Sequence, residues 1–138
     1  MAMIEWIKRT KIGLIEVACD GGITSFDQSL SGYLNRLCLN NLSTLEGRLK
    51  GVQRRFAFKS RIPIYIDPEH LLLPVVGLRS PNCLLINQRA LCSCRKRKGN
   101  ELELRFASGM KLTISKGRTF AALMEKARLI DEGLQDRM

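Results

Sequence analysis

The stretch LELRFASGMKLTI, residues 102–114, decides the fold of this chain. Apolar residues alternate with polar ones before and after the short loop Ala-Ser-Gly at 107–109. A period of two is typical of a strand that buries one face, and two such runs around a glycine-containing loop predict a β-hairpin. Gly109 is the residue expected to adopt the positive φ angle of that turn.

Further short apolar runs precede this hairpin and predict a sheet of several strands. They lie at residues 3–18 (one or two strands), 62–66, 71–76, 83–87 and 89–94. Pro74 lies inside the run at 71–76 and cannot donate a backbone hydrogen bond. That strand is therefore expected at an edge of the sheet or at a bulge.

Three segments have the apolar spacing of amphipathic helices. Two of them follow capping boxes at 25–28 and 43–46, and the third begins near Thr119 and closes at Gly133. Helices near the N-terminal third and at the C-terminus, around a run of short strands, predict an α+β fold with a mainly antiparallel sheet. No repeat or linker interrupts the chain, so residues 1–138 are expected to form a single domain.

The charge balance of the chain is strongly basic. Twenty-three Lys and Arg residues stand against thirteen Asp and Glu residues, which gives a net charge of +10 over 138 residues. Such a balance in a small domain favours a polyanionic partner, either nucleic acid or less often an anionic membrane face, over a merely solvated basic surface. The longest apolar run is too short to span a membrane, and Glu16 and Asp20 argue against a leader peptide. A cytoplasmic protein with reduced thiols is expected.

Cys92 and Cys94 raise the possibility of a metal site, because residues i and i+2 of a strand face the same side. A structural zinc site needs four ligands, and the chain offers one histidine, His70, in a polar loop, with its other cysteines far apart. The two thiols are therefore expected to pack as small buried groups. The chain contains no recognised catalytic motif, so neither a cofactor nor an enzymatic activity is expected.

Two clusters of cations are the main candidates for a functional surface. The first is the run of four cations at 95–98 between two predicted strands, and no acidic residue lies between positions 70 and 100. The second spans 48–61. With single cations elsewhere, the candidate DNA-binding residues are Arg48, Lys50, Arg54, Arg55, Lys59, Arg61, Arg79, Arg89, Arg95, Lys96, Arg97, Lys98, Lys116 and Arg118. Few aromatic residues lie near them, which favours contact with the duplex backbone over base stacking.

The segment CLNNLSTLEGRLKG at 38–51 resembles the C-x₄-S-[ST]-x-x-G-R-x-x-G segment of the ComK family, the competence transcription factors of Firmicutes. The resemblance continues in the same order through IPI (62–64), LP (73–74), PNCLLI (81–86), FASG (106–109) and LTIS (112–115). Leu85 replaces a tryptophan of the family pattern, so the chain resembles a divergent member of the family. It also ends soon after the last predicted helix, where relatives carry a tail linked to adaptor-mediated proteolysis, and the resemblance gives no support for that control.

Resemblance to the ComK family implies sequence-specific binding of paired AT-rich promoter boxes, largely through the minor groove, by a dimer or higher assembly that activates transcription. The physical basis is that the narrow minor groove of A-tracts has an enhanced negative potential that attracts arginine. Composition alone would equally support a small basic RNA- or ribosome-associated protein. A protein-interaction adaptor is the third alternative, and it would bind nucleic acid only weakly.

Overall fold

The computed structural model describes residues 2–135, which form two antiparallel sheets and three α-helices. The first sheet has six strands in the order β3-β2-β1-β6-β5-β4, namely β1 Ile4–Lys11, β2 Leu14–Cys19, β3 Gly22–Phe26, β4 Ile64–Asp67, β5 His70–Val76 and β6 Leu84–Asn87. The second has the order β7-β8-β9, namely β7 Leu91–Lys96, β8 Leu102–Phe106 and β9 Lys111–Ile114. The helices are α1 Leu30–Leu39, α2 Leu45–Phe56 and α3 Gly117–Gln135.

The predicted α+β class is confirmed, with helices in the N-terminal third and at the C-terminus. The hairpin that decides it, β8–β9, has the expected alternation, with Leu102, Leu104 and Phe106 buried. Gly109 has φ of +94°, as the turn requires, and its N–H donates to the carbonyl of Phe106 at 2.9 Å.

The six-stranded sheet is buried on both faces. Leu71 and Leu73 of β5 belong to an apolar cluster with Leu123 of α3 and with the inner face of the three-stranded sheet. Leu72 points the other way and packs in a second cluster with Leu34 of α1. Burial on both faces explains why residues 71–76 are almost continuously apolar instead of alternating.

Pro74 marks a bulge and does not lie on an edge strand. β5 lies between β4 and β6, and its register with β6 shifts between Pro74 and Val76. Beyond the last β4–β5 pair, Arg61 Nη1 donates to the carbonyls of Pro74 (3.3 Å) and Val75 (3.0 Å). The guanidinium thus satisfies backbone acceptors that β4 no longer reaches.

The predicted helix boundaries need correction at three points. Ser25 lies in β3, and α1 is capped instead by Ser29, whose hydroxyl accepts from the Gly32 N–H at 3.1 Å. The cap of α2 is Thr44, one residue after the predicted serine. α3 begins at Gly117 and continues past Gly133. Sequence spacing identified the helices, but neighbouring Ser and Thr residues compete for the cap, and strand pairing decides between them.

Substitution of Gly109 by Ala should lower the free energy of unfolding by about 1–2 kcal/mol, because a Cβ is strained at positive φ although no atom stands within 4 Å of it. Gly51→Ala is the matched control. Gly51 lies in α2 with equally open surroundings, so the same change should stabilise the protein by about 0.5–1 kcal/mol. Chemical denaturation of the two variants measures both values, and equal effects would contradict the prediction.

Candidate nucleic-acid interface

The basic run at 95–98 is divided between a strand and a turn. β7 extends to Lys96, so Arg95 and Lys96 alternate across the sheet, while Arg97 and Lys98 enter the turn. Arg95 pairs with Glu103 of β8, and Lys96 pairs with Leu102. Because Leu102 faces the core, Lys96 lies on the inner side of the sheet and Arg95 on its outer, solvent-exposed face.

The outer face of the three-stranded sheet brings together cations that the sequence analysis had not joined. Arg105 of β8 lies on the same face as Arg95 and pairs with Lys111 of β9. All three are exposed. Neither Arg105 nor Lys111 had been included among the candidates. The period of two in residues 102–114 could have identified both, since they occupy the polar positions of the hairpin.

Glu103 is the buried acidic centre of this outer face, with 5% of its surface exposed. Its carboxylate accepts hydrogen bonds from Arg97 and, at 3.3 Å, from Arg105. These bonds, with that of Arg97 the stronger contributor, hold the pKa of Glu103 below its usual value near 4.5. The cationic run is therefore offset by an acidic residue that follows it in sequence, and two guanidinium groups are fixed in position.

Asn100 fixes the turn of the β7–β8 hairpin against the first turn of α3. Its carbonyl accepts from the Gly117 N–H (2.8 Å), its Oδ1 accepts from the Arg118 N–H (2.9 Å), and its Nδ2 donates to the carbonyl of Ser115 (3.2 Å). Helix α3 is thus capped by a distant asparagine and not by Thr119. The contact places the cations of 96–98 beside Lys116 and Arg118.

A groove of about 500 Å³ lies where the turn meets α3. Lys96 and Arg118 contribute to its rim, and Leu102, Phe120 and Met124 form its apolar wall. Lys96 and Arg118 thus border one shared depression although they lie about twenty positions apart in sequence.

From α3 the cations continue along one end of the six-stranded sheet. Arg118, Arg61 and Lys126 line a common surface depression. Arg61 reaches Gly77, at the start of the loop that contains the exposed Arg79. We call this series, from the 95–98 turn through Arg118 and Arg61 to Arg79, the basic ridge.

Several predicted DNA-binding cations are bound within the protein. Arg89 forms a two-pronged ion pair with Asp131 (2.6 and 3.0 Å), which joins the short 3₁₀ turn just before β7 to α3. Other contacts engage the following groups: Arg61 with the carbonyls at the bulge, Arg48 over the Tyr65 ring (5.6 Å), Arg55 with the Gly133 carbonyl (3.2 Å), and Lys50 with Glu46 (2.7 Å). These contacts stabilise the fold, and the charges of the same residues also contribute to the surface potential.

The remaining predicted cations form no ion pair with any residue between 2 and 135. They are Arg54, Lys59, Arg79, Arg95, Lys96, Lys98, Lys116 and Arg118. All eight are exposed. Their charges are available to an external anion.

The expectation that Cys92 and Cys94 pack in the interior is wrong, since both are exposed on the outer strand β7. Cys38 and Cys83 are buried instead, and burial raises the pKa of the Cys83 thiol to about 11. Across residues 2–135, no three His, Cys, Asp or Glu side chains are arranged to hold a metal ion.

His70 is buried at the start of β5 and is not a loop residue. Its Nε2 accepts the Ile4 N–H at 3.1 Å, and its Nδ1 donates to Asp67 at 3.0 Å. Both ring nitrogens are therefore engaged in holding strands together, which gives the only histidine a structural position.

Eight exposed cations without an internal ion pair among the described residues lie on β7, at the ends of α2 and α3, and in the connecting loops. They define a protein whose surface suits a polyanion. The family model of the ComK protein matches residues 8–138. The chain therefore belongs to the ComK family, a family of competence transcription factors and not of enzymes. Comparisons with curated proteins and with solved structures found no match. Over residues 2–135, no helix is long and apolar enough to cross a membrane.

Replacing Glu103 by Gln should remove an acid-dependent part of the stability. Because the folded-state pKa is depressed, the ionised carboxylate stabilises the fold above about pH 4.5, and this stabilisation disappears as pH falls through the folded pKa. Wild type should therefore exceed Glu103→Gln in free energy of unfolding at neutral pH, and the difference should shrink in acid. Denaturation at a series of pH values measures it. Glu69→Gln is the control, and a gap that persists below the folded pKa would refute the prediction.

Gly117→Ala should weaken the attachment of the basic turn to α3. A Cβ at this position would stand 2.6 Å from the Asn100 carbonyl oxygen, so the backbone must shift, at a cost of about 1–3 kcal/mol in unfolding free energy. Gly22→Ala is the control, because its Cβ would meet nothing closer than 3.8 Å. Thermal and chemical denaturation provide the measurement. Equal stability of the two variants would show that the contact between Asn100 and the first turn of α3 contributes nothing to the free energy of unfolding.

Proposed function

We propose that this chain is a transcriptional activator that binds AT-rich promoter boxes in double-stranded DNA, largely through the minor groove. Membership of the ComK family supports the role in transcription. The observation that carries the finer proposal is the outer face of the three-stranded sheet, where Arg95, Arg105 and Lys111 surround the buried Glu103.

The arrangement of these arginines suits the reading of a narrow groove. Hydrogen bonds to Glu103 hold Arg97 and Arg105 at fixed positions, so binding immobilises fewer free side chains. A narrow minor groove concentrates negative potential, and guanidinium groups enter it in preference to wider grooves. Arg95 lies beside them and forms no ion pair with a described residue, which leaves its charge available for the groove.

The basic ridge and the exposed cations near α2 supply the part of binding that does not depend on sequence. Phosphate contacts set affinity and orientation and carry no base information. In this proposal Arg54, Lys59, Arg79, Lys98, Lys116 and Arg118 contact phosphates, whereas Arg48, Arg61 and Arg89 mainly maintain the fold. The chain acts without a cofactor, as one DNA-binding domain, in the cytoplasm. It binds as a homodimer, because paired boxes match two-fold symmetry in the protein.

The double change Arg95→Ala with Arg105→Ala should lower the preference for an AT-rich duplex over a random duplex by roughly tenfold, since groove-reading arginines carry the discrimination. Arg54→Ala with Lys59→Ala should lower the affinity for both duplexes equally. The slope of log affinity against log salt concentration should fall in magnitude by about 0.9 for each lost phosphate contact. Fluorescence anisotropy at two salt concentrations measures both effects.

Arg128→Ala is the matched control, because Arg128 is an exposed arginine already paired with Glu125 and Glu132. It should leave the preference unchanged. If Arg95→Ala with Arg105→Ala keeps the full preference, the outer face does not read the groove. If duplex binding is insensitive to salt, or if RNA competes better than duplex DNA, the proposed function itself is wrong.

A further inference from the structure

The tip of the β1–β2 hairpin displays a fully exposed isoleucine. β1 and β2 are joined by the two-residue loop Ile12-Gly13, and Gly13 has φ of +75°. The exposed fraction of Ile12 is 101%, so no described part of the chain covers its side chain. A β-branched apolar side chain at such a position gains nothing for the fold.

This tip projects beyond the rest of the six-stranded sheet. β6 ends its pairing with β1 at Lys8, and β3 ends its pairing with β2 at Ile15, so residues 10–14 have no neighbouring strand outside the hairpin itself. The hairpin is nevertheless braced at its base. Arg9 Nη1 donates to the carbonyls of Leu78 (2.9 Å) and Ser80 (2.6 Å), which fixes it to the loop that carries Arg79.

Two cations precede the isoleucine on β1. Lys11 is its direct neighbour, and Lys8 lies four residues before it, opposite Glu16 of β2. Both lysines are exposed. Arg79 lies in the loop to which Arg9 is bonded, at the end of the basic ridge. An apolar side chain at a braced tip, with cations beside it, combines attraction to phosphate with a group that can enter between bases.

The same features disfavour docking of a second copy at this tip. One isoleucine side chain, flanked by a glycine and a lysine, offers far less apolar area than a stable protein interface requires. Two such tips would also bring lysines of like charge together. The charge of the tip therefore fits a polyanion and not another copy of this chain.

We propose that Ile12 is a wedge that inserts from the minor groove between two stacked base pairs and partly unstacks them. This inference rests on the proposed binding of duplex DNA and adds to it a contact with the base stack. Lys8 and Lys11 would contact the phosphates beside the opened step, where separation of the bases widens the minor groove.

The test uses an AT-rich duplex in which 2-aminopurine replaces adenine at successive positions, because its fluorescence rises when a base is unstacked. Wild type should raise the signal at a defined step, and Ile12→Ala should abolish that rise. Affinity should fall by only roughly three- to tenfold, since apolar burial is partly offset by the cost of unstacking. Ile12→Leu should retain the rise, because leucine also serves as a wedge.

Leu42→Ala is the matched control, since Leu42 is 97% exposed between α1 and α2 and its loss removes a similar apolar side chain. It should leave signal and affinity unchanged. If Ile12→Ala binds duplex and unstacks it like wild type, the wedge is refuted while the proposed function stands. If Ile12→Ala changes the oligomeric state measured by sedimentation but still unstacks the duplex, the wedge is refuted and Ile12 serves self-association. Absence of duplex binding by wild type would overturn both proposals.

Discussion

The burial of both faces of the six-stranded sheet is the constraint on which the rest of the structure depends. β5 supplies Leu71, Leu73 and Val75 to one apolar cluster and Leu72 to the other. Each fully buried side chain of this size contributes about 1.5–3 kcal/mol, so this strand contributes several kcal/mol to the apolar stabilisation of both faces. The three-stranded sheet needs α3 and this strand as a base, because its own outer face is polar and charged.

Repulsion among the cations destabilises the folded state, and local ion pairs and hydrogen bonds offset part of it. Like charges gathered on one small domain repel one another, which lowers the stability of the compact state. Glu103 and Asp131 offset arginines of the outer face and of the short 3₁₀ turn just before β7. Backbone carbonyls accept from Arg9, Arg55 and Arg61. The exposed cations that remain without an ion pair among the described residues lie mainly on the outer face, along the basic ridge, near the end of α2 and on the β1–β2 hairpin.

The site shows why a run of charges in sequence is a poor description of a surface. The four residues at 95–98 were predicted to lie together between two strands, yet strand pairing sends Lys96 to the inner side and Arg95 to the outer face. Arg105 and Lys111 join Arg95 from other strands. Cys92 and Cys94, predicted to be buried, are exposed because β7 is an edge strand of a small sheet. Cys94 pairs with Leu104 and so lies on the inner side, but there it lines the open groove beside α3.

The sequence by itself determined the fold class, the family and the strongly basic charge of the chain. Period-two alternation at 102–114, helical spacing and net charge are local or additive properties, and each needs only neighbouring residues or a sum. The tertiary structure alone decided which cations are available. Arg89 is bound by Asp131, which lies 42 positions away, and Asn100 caps a helix that begins 17 positions later. Such contacts join residues whose distance depends on the packing of whole elements, and no local pattern encodes it.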